Sequence, residues 1–205
     1  MPRSDHVILD VGAHIGTFTL LAARKVPQGK VYAVEASRET CDYLKTNIAL
    51  NQVENVDVSH LALSGRAGEV TLHHDPTGNW GHSITQRLSG RNETVSAESL
   101  PNFLVRKHIT RCHLAKFNCE GAEFPILLNT PAETLRHFDL LLVLYHCDLA
   151  TDYRVDDLLT HLREASFDLT IRHRSRARGW LVAKSRRAAP LSLLPSPTGA
   201  WRAAG

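Results

Sequence analysis

The sequence has no uninterrupted apolar run of about 18 residues, which is the length that a membrane-spanning helix needs. Its first residues lack the apolar core of a secretory signal peptide. The four cysteines form no C-x-x-C pair and indicate no disulfide framework, as is usual in a reducing compartment. From these absences we expect a protein without a membrane span, located in the cytoplasm.

The sequence also has little net charge. A formal net charge of +3 at pH 7 is too small to indicate a nucleic-acid partner, and we expect none. Hydrophobic residues make up 43% of the 205 positions, which is enough for one sizeable core. Because Ala, Pro and Ser dominate after Arg187, we predict one domain over residues 1–187 and a disordered tail over residues 188–205.

Residues 7–18 predict a strand, a tight turn and the start of a helix in direct succession. An apolar run ends in Asp10, and Gly12 then lets the backbone turn sharply and lie close to a ligand. Gly16 is expected to let the first helix pack close to its strand. His14 lies between the two glycines, and if this position needs a positive φ, His is among the residues that tolerate it.

A second strand, at residues 30–35, ends in Glu35 about twenty residues after the turn, the spacing of a βαβ unit. A carboxylate there can accept both hydroxyls of a ribose. A dinucleotide requires glycines at the first, third and sixth positions of the turn, but here they lie only at the first and fifth. Asp10 would attract the cations of S-adenosylmethionine and repel a pyrophosphate, so we favour the methyl donor.

The next segments complete this nucleotide-binding half. Residues 39–51 predict a helix with Ser37 as its N-cap. Residues 56–63 are β-branched and apolar, and they predict a third strand that ends at Ser64 and Gly65. Since this strand end should lie beside the ribose, we expect the backbone from Ala62 to Ser64 to contact an adenine.

Residues 65–111 depart from the alternation of strand and helix. They predict an edge strand at 69–73, a turn-rich loop at 75–83 and a short helix at 98–107. Loops of this length usually have a function, so Trp80 and His82 are candidates for substrate contact. The alternative for Trp80 is a ring that folds back over a sheet edge.

The second half of the chain predicts a fourth strand from residue 113, with Asn118 and Glu120 at its carboxyl end, where open α/β sheets bind ligands. An unalternating apolar run at 139–146 is typical of a parallel strand covered on both faces, and it ends in His146. The remaining elements are an amphipathic helix and two strands joined by a basic turn, at residues 155–165, 167–172 and 179–183.

Four motifs in this chain resemble those of a known family: Asp-Val-Gly-Ala-His-Ile-Gly at 10–16, Val-Glu-Ala at 34–36, Lys-Phe-Asn-Cys-Glu-Gly-Ala-Glu at 116–123 and Tyr-His at 145–146. They are similar to the FkbM family of S-adenosylmethionine-dependent methyltransferases, and the third motif is the most specific. The resemblance implies the class I methyltransferase fold, a Rossmann-like α/β architecture whose seven-stranded sheet is mostly parallel, with an antiparallel last pair and helices on both faces.

The resemblance also implies S-adenosyl-L-methionine as the cofactor. The expected reaction is O-methylation of a small-molecule acceptor, either a small metabolite, a sugar or a lipid-linked glycan. This chain departs from the family at Asn118, where relatives commonly have Asp, and at His14, where they commonly have Asn. Because Asn cannot take a proton, a general-base role is not expected at residue 118.

The patterns and the resemblance together predict a set of site residues. Contacts to the cofactor are expected from Asp10, Gly12, His14, Gly16, Glu35, Ala62, Ser64 and Asn118. Candidates for catalysis are Glu120, His146 and Lys116. Among these, His146 has an ordinary pKa suited to a base near neutral pH, whereas Glu120 would need a pKa raised by burial, or would instead orient the acceptor.

Three alternatives remain. Two predicted strands carry residues of types that zinc prefers, but their spacing matches no zinc motif and no metal is expected: Cys112, His113, Cys119, His146 and Cys147. The basic turn at residues 172–178 could bind phosphate or nucleic acid, although solvated charges are common in such turns. The third alternative is a weak or inactive methyltransferase-like binding module, against which the retained Asp10, Gly12, Glu35 and Glu120 argue.

Overall fold

The computed structural model describes residues 2–75, 82–85, 91–173, 175 and 177–187. The predicted substrate contact Trp80 and the predicted tail at 188–205 lie outside the described residues. The described strands are β1 (Val7–Val11), β2 (Lys30–Glu35), β3 (Val56–His60), β4 (Ala62–Ser64), β5 (Gly68–His73), β6 (Asn92–Ser99), β7 (Leu114–Phe117), β8 (Leu140–His146), β9 (Phe167–Arg172) and β10 (Arg178–Ser185). The described helices are α1 (Thr17–Lys25), α2 (Arg38–Leu50), α3 (Leu100–Arg106), α4 (Glu123–Leu128), α5 (Ala132–Leu135) and α6 (Val155–Glu164).

The larger sheet has seven strands in the order β3-β2-β1-β7-β8-β10-β9. Its neighbours are parallel from β3 to β8, and β10 runs antiparallel to both β8 and β9. The predicted fold class is therefore confirmed, including the antiparallel last pair. Strand β1 lies between β2 and β7, so that Asp10 has Ala33 on one side and Lys116 on the other.

Helices cover both faces of this sheet. On one face, α1 packs through Ala22 and Ala23 against Ile8 of β1. On the other face, the large core joins side chains of the strands to helices α3, α4 and α6, with Phe103, Phe124 and Leu162 among its members. Successive strand residues alternate between the two cores, with Ile8 in the first and Leu9 in the second.

A second, three-stranded sheet has the order β4-β6-β5 and was not predicted. The prediction of one strand over residues 56–63 is wrong in its second half, because β3 ends at His60. The Leu61 amide donates to the carbonyl of Glu35, and the chain then leaves the larger sheet. Residues 62–64 pair instead with β6, a strand that the sequence analysis missed.

The topology of the larger sheet determines where the candidate site lies. Strands β1, β2, β7 and β8 are parallel, so their carboxyl ends meet at one edge of the sheet. Glu35 is the last residue of β2, the glycine turn follows β1, and the segment from Asn118 to Ala122 leads from β7 to Glu123 at the start of α4. Within the described parts of the chain, every helix is too short or too polar to cross a lipid bilayer.

Candidate active site

A cavity of about 520 Å³ opens at this edge of the sheet. Its volume lies within the range of small-molecule sites. The predicted site residues that line it are Gly12, His14, Glu35, Ala62, Lys116, Asn118 and Glu120, together with His82, the candidate for substrate contact. The other predicted residues, Asp10, Gly16, Ser64 and His146, are described by the structure but do not belong to the lining.

The turn after β1 has the left-handed backbone that the glycines suggest. Gly12 has a φ of 71°, and a Cβ at this position would overlap the carbonyl oxygen of Asn118. His14 has a φ of 53°, so the position does need the positive φ that His tolerates. Gly16 has a φ of 97°, but its close packing is with α2 rather than with its own strand, because a Cβ would lie 2.6 Å from the Leu44 Cδ1 atom.

Glu35 is fixed at the end of β2 and is only 8% exposed. Its Oε2 atom accepts a hydrogen bond of 2.8 Å from the His14 amide, and its Oε1 atom accepts one of 2.9 Å from the Ser37 amide. Burial raises the pKa of Glu35, while these amide donors act in the opposite direction. Since each oxygen keeps further acceptor capacity, the carboxylate can still bind hydroxyl groups in the cavity.

Asp10 faces the protein interior and is fully buried. Its Oδ1 atom accepts a hydrogen bond of 2.8 Å from Lys116 Nζ, and its Oδ2 atom accepts one of 2.6 Å from the Thr19 hydroxyl. The structure therefore corrects the expectation that Asp10 attracts the cations of a ligand directly, because Lys116 already neutralises it.

Lys116 lies on the ligand side of this ion pair. Its Nζ atom also donates to the Gly12 carbonyl at 3.0 Å, and it lies 5.6 Å from the centre of the Phe18 ring. The ammonium group is thus held against the glycine turn, in the lining of the cavity. This position suits binding of an anionic group better than the catalytic role predicted for Lys116.

Asn118 follows β7, and its amide continues the sheet by donating to the Val11 carbonyl at 3.1 Å. Its buried Oδ1 atom has no hydrogen-bond partner within the described part of the chain. Because an unpaired buried acceptor is costly, this atom is a candidate contact for a ligand donor. Ser64 uses its hydroxyl to donate to the Arg66 carbonyl at 2.6 Å, and the predicted contact of its backbone with a ligand stays a prediction.

Beside Asn118, three titratable side chains form a line that leads from the cavity into the core. Glu120 lines the cavity, and its side chain is 18% exposed. Its Oε2 atom lies 3.5 Å from His146 Nε2, and His146 Nδ1 lies 3.0 Å from Glu123 Oε1. The side chains of His146 and Glu123 are 1% and 0% exposed, so only Glu120 can touch a ligand.

The charges in this line shift the pKa values of its members. Burial raises the pKa of Glu120, and His146 and Arg178 oppose that effect. Burial alone lowers the pKa of His146, but its hydrogen bond to Glu123 and the charges of both carboxylates raise it overall. The pKa of Glu120 is therefore shifted in the direction that a general base needs. The structure corrects the expectation that His146 contacts the substrate, because the buried ring does not line the cavity.

A comparison with known protein families identifies the family of this chain. A family model described as the methyltransferase FkbM domain matches residues 10–169. The chain belongs to the FkbM methyltransferase family. The matched range includes the glycine turn, Glu35 and the line from Glu120 to Glu123.

Curated relatives agree with the FkbM assignment. Methyltransferase 1 of Beauveria bassiana is 29% identical over 172 residues, covering 73% of this chain and 68% of the relative. Methyltransferase sdnD of Sordaria araneosa is 39% identical over 169 residues, covering 67% of this chain and 64% of the relative. The chain thus spans about two thirds of the length of the curated relatives that it matches.

Solved structures show the same fold. An FkbM methyltransferase from Methylobacillus flagellatus has a TM-score of 0.64 at 13% identity, covering 89% of this chain and 44% of that chain. Fibrillarin of Aeropyrum pernix, crystallised with natively bound S-adenosyl-L-methionine, has a TM-score of 0.54 at 14% identity, covering 88% of this chain and 66% of that chain. At these identities the likeness shows the class I methyltransferase fold alone.

The structure also shows what the sequence analysis of this FkbM chain missed. Glu123 was seen within a motif but given no role, although a carboxylate at the first residue of a helix was a usable signal. Of the residues in the zinc alternative, Cys112 and Cys119 flank β7 on opposite sides, and burial raises the pKa of Cys112 to about 12. Among the described residues, no group of three or more His, Cys, Asp or Glu could hold a metal ion.

Proposed function

We propose that this chain transfers a methyl group from S-adenosyl-L-methionine to an oxygen of a small acceptor. The observation that carries this proposal is Glu35, a buried carboxylate that two backbone amides hold at the end of β2, in the lining of the cavity. In class I folds this position accepts the hydroxyls of a ribose. Membership of the FkbM family and the donor bound to fibrillarin support the same cofactor.

The remaining lining fits the rest of the donor. Apolar side chains beside Glu35 offer a surface for an adenine: Leu61, Ala62, Leu63, Leu72 and Ile84. The unpaired Oδ1 atom of Asn118 can accept from the ammonium group of the donor's methionine part. Lys116, held by Asp10 beside the glycine turn, can donate to its carboxylate. The cavity therefore presents a matching group for the ribose, for the ammonium group and for the carboxylate of the donor.

For the acceptor we propose a hydroxyl group whose proton passes to Glu120. When bound, the donor would supply a methyl group on a sulfonium sulfur, and this sulfur would leave as a neutral thioether when the acceptor oxygen bonds to the methyl carbon in line. The chain has to align the acceptor oxygen and take its proton as the new bond forms. Glu120 lines the cavity and has a pKa raised by burial, so it is the described side chain best suited to this step.

The test combines donor binding with turnover. We expect calorimetry to show that the purified chain binds S-adenosyl-L-methionine and its demethylated product. With radiolabelled donor and panels of sugars, hydroxylated metabolites and glycolipids, we expect label in one class of acceptor. Glu120→Gln should keep the donor affinity and lower turnover by about a hundredfold or more.

Two results would contradict the proposal. The first is binding of NAD in place of the methyl donor, since the glycine turn also resembles a dinucleotide site. The second is tight donor binding with neither transfer nor slow hydrolysis of the methyl group for the wild-type chain on any acceptor class. That second result would favour a binding module instead of an enzyme.

A further inference from the structure

We propose that Glu123 is a positioning residue that acts through His146 to set the proton affinity of the cavity-facing Glu120 carboxylate. The proposal rests on the proposed function, in which Glu120 receives the proton of the acceptor. It assigns a role to a fully buried carboxylate that contacts neither the cavity nor solvent.

Glu123 is held from several sides. Its Oε1 atom accepts a hydrogen bond of 2.7 Å from the backbone amide of His146, and the same atom lies 3.0 Å from the Nδ1 atom of that ring. Its Oε2 atom accepts a hydrogen bond of 3.1 Å from the Gly121 amide. Because these donors fix both oxygens, the carboxylate cannot rotate away from the imidazole, and the ring must present Nδ1 as its donor.

The contact between Glu123 and Nδ1 determines whether the Nε2 atom on the other side of the imidazole carries a proton. With a proton on Nδ1, the Nε2 atom faces Glu120 Oε2 at 3.5 Å, and it carries a proton whenever the ring is charged. A charged ring between two carboxylates stabilises the ionised form of Glu120. Since the His146 side chain is only 1% exposed, it influences the ligand only through Glu120.

The other groups near His146 do not replace Glu123. Arg178 faces the ring from β10, but its guanidinium donates to Asp148 at 2.8 and 3.0 Å, and that carboxylate balances its charge. Cys119 approaches Glu123 Oε2 at 3.6 Å, and burial raises the pKa of this thiol well above its usual range, so it stays neutral. Apart from Glu120 itself, Glu123 is therefore the carboxylate in contact with His146 that can keep the ring protonated, and it is the nearer of the two.

A direct effect and a relayed effect of Glu123 have opposite signs. The like charge of Glu123 by itself raises the pKa of Glu120, whereas charged His146 lowers it and has the larger influence. If Glu123 acts only by direct repulsion, removing its charge should lower the pKa of Glu120. If it acts through His146, removing its charge should raise the pKa of Glu120.

The experiment uses the full chain with Glu123→Gln, labelled with ¹⁵N in imidazoles and ¹³C in carboxyl groups. By NMR titration we expect the pKa of His146 to fall by about one unit or more, because a contacting opposite charge is lost. We expect the pKa of Glu120 to rise. Glu133→Gln is the matched control, since Glu133 is also acidic in the first turn of a helix but is exposed, and it should leave both values unchanged.

The wild-type chain supplies a second measurement if Glu123→Gln does not fold. We expect the neutral His146 ring to carry its proton on Nδ1, or the ring to stay doubly protonated above the ordinary pKa of histidine. A neutral ring with its proton on Nε2 would overturn the proposal. So would an unchanged pKa of His146, or a fall in the pKa of Glu120, in Glu123→Gln.

A third variant, together with calorimetry, separates this inference from the proposed function. In His146→Gln the relay is absent, so adding Glu123→Gln should no longer raise the pKa of Glu120. Affinity for S-adenosyl-L-methionine should stay near the wild-type value in Glu123→Gln. If the wild-type chain does not bind the donor, the proposed function is contradicted. If it binds the donor but the pKa of His146 is unchanged or the pKa of Glu120 falls in Glu123→Gln, only the role of Glu123 is contradicted.

Discussion

Glu35 has two tasks at once, and both follow from its two oxygens. The carboxylate binds the amides of His14 and Ser37, which fixes the glycine turn to the end of β2. The same oxygens face the cavity, where hydroxyl groups of a ligand can bind them. A substitution at this position therefore changes the turn as well as the proposed ribose contact.

We predict that Glu35→Gln weakens binding of S-adenosyl-L-methionine at least tenfold. The amide keeps one acceptor oxygen but loses the charge, and a hydrogen bond to a charged group contributes about 1.5 to 3 kcal/mol. Isothermal titration calorimetry measures the change. Glu39→Gln on the exposed first turn of α2 is the control and should bind normally. Equal affinity in Glu35→Gln and wild type would remove Glu35 from the donor site.

Single residues were predictable from the sequence where their position along a strand was sufficient. Gly12, Glu35 and Glu120 line the cavity as expected, because parallel strands end at one edge of the sheet. Asp10 was placed at the right strand end, but its orientation depends on Lys116, which lies 106 positions away. No local pattern contains that pairing, and the same is true of the contact between Glu123 and His146.

At the scale of elements, the ion pair of Asp10 and Lys116 joins the two central strands β1 and β7. These residues are paired in register across the strands, and their side chains are 0% and 10% exposed. The ion pair also ties the Gly12 carbonyl to β7 through the same ammonium group. Any loss of one partner leaves the other as a buried, uncompensated charge.

We predict that Lys116→Met lowers the free energy of unfolding by about 3 to 5 kcal/mol. Asp10→Asn combined with Lys116→Met should recover part of that loss, because no buried charge then remains. Urea denaturation followed by circular dichroism measures both values. Arg111→Met is the control: it breaks an ion pair with Asp139 whose Arg side chain is 58% exposed, and it should cost about 1 kcal/mol or less. An equal cost for the two single variants would contradict a buried pair.

The elements that the sequence did not reveal belong mainly to the second sheet. Strand β4 has three residues, which is too short for a pattern of alternation to separate it from β3. Strand β6 has polar residues at most of its positions and buries only Val95 and Ala97. Strand β6 forms because it pairs with β5 and β4 in the folded protein. The strands of the larger sheet, in contrast, can be recognised in the sequence as apolar runs.

At the scale of the molecule, several histidines link stability to pH with opposite signs. The pKa of His146 is raised in the fold, so its stabilising contribution is complete below the unfolded value and is lost as pH rises through the folded value. Burial and neighbouring histidines lower the pKa of His6 and of His82, so stability from these residues is lost as pH falls below the unfolded value.

We predict that the stability advantage of wild type over His146→Gln decreases as pH rises through the raised pKa of His146, because the Gln side chain does not titrate. Chemical denaturation at each pH gives both free energies of unfolding. The contributions of His6 and His82 cancel in the difference. An advantage that stays constant or grows with pH would show that the pKa of His146 is not raised in the fold.

The fold class was predictable because two independent features agreed. The alternation of apolar runs and helical patterns indicated a doubly wound sheet, and the motif at residues 116–123 pointed to the family. The mostly parallel seven-stranded sheet and its antiparallel last pair followed from the resemblance, as the structure confirms. The precise ends of elements did not follow, because caps and sheet exchange depend on contacts between distant residues.

The site has two halves, one built by the hydrogen bond between His14 and Glu35 and the other by the ion pair of Asp10 and Lys116. The two halves differ in how many positions separate the two partners along the chain. His14 and Glu35 are separated by 21 positions, but Asp10 and Lys116 are separated by 106. Closing the longer loop costs roughly 1.4 kcal/mol more in chain entropy. During folding, the glycine turn and Glu35 should therefore assemble early with β1 and β2. A chain leaving the ribosome cannot complete the donor site until β7 has emerged, and a donor molecule that spans both halves would then hold the late strand in place.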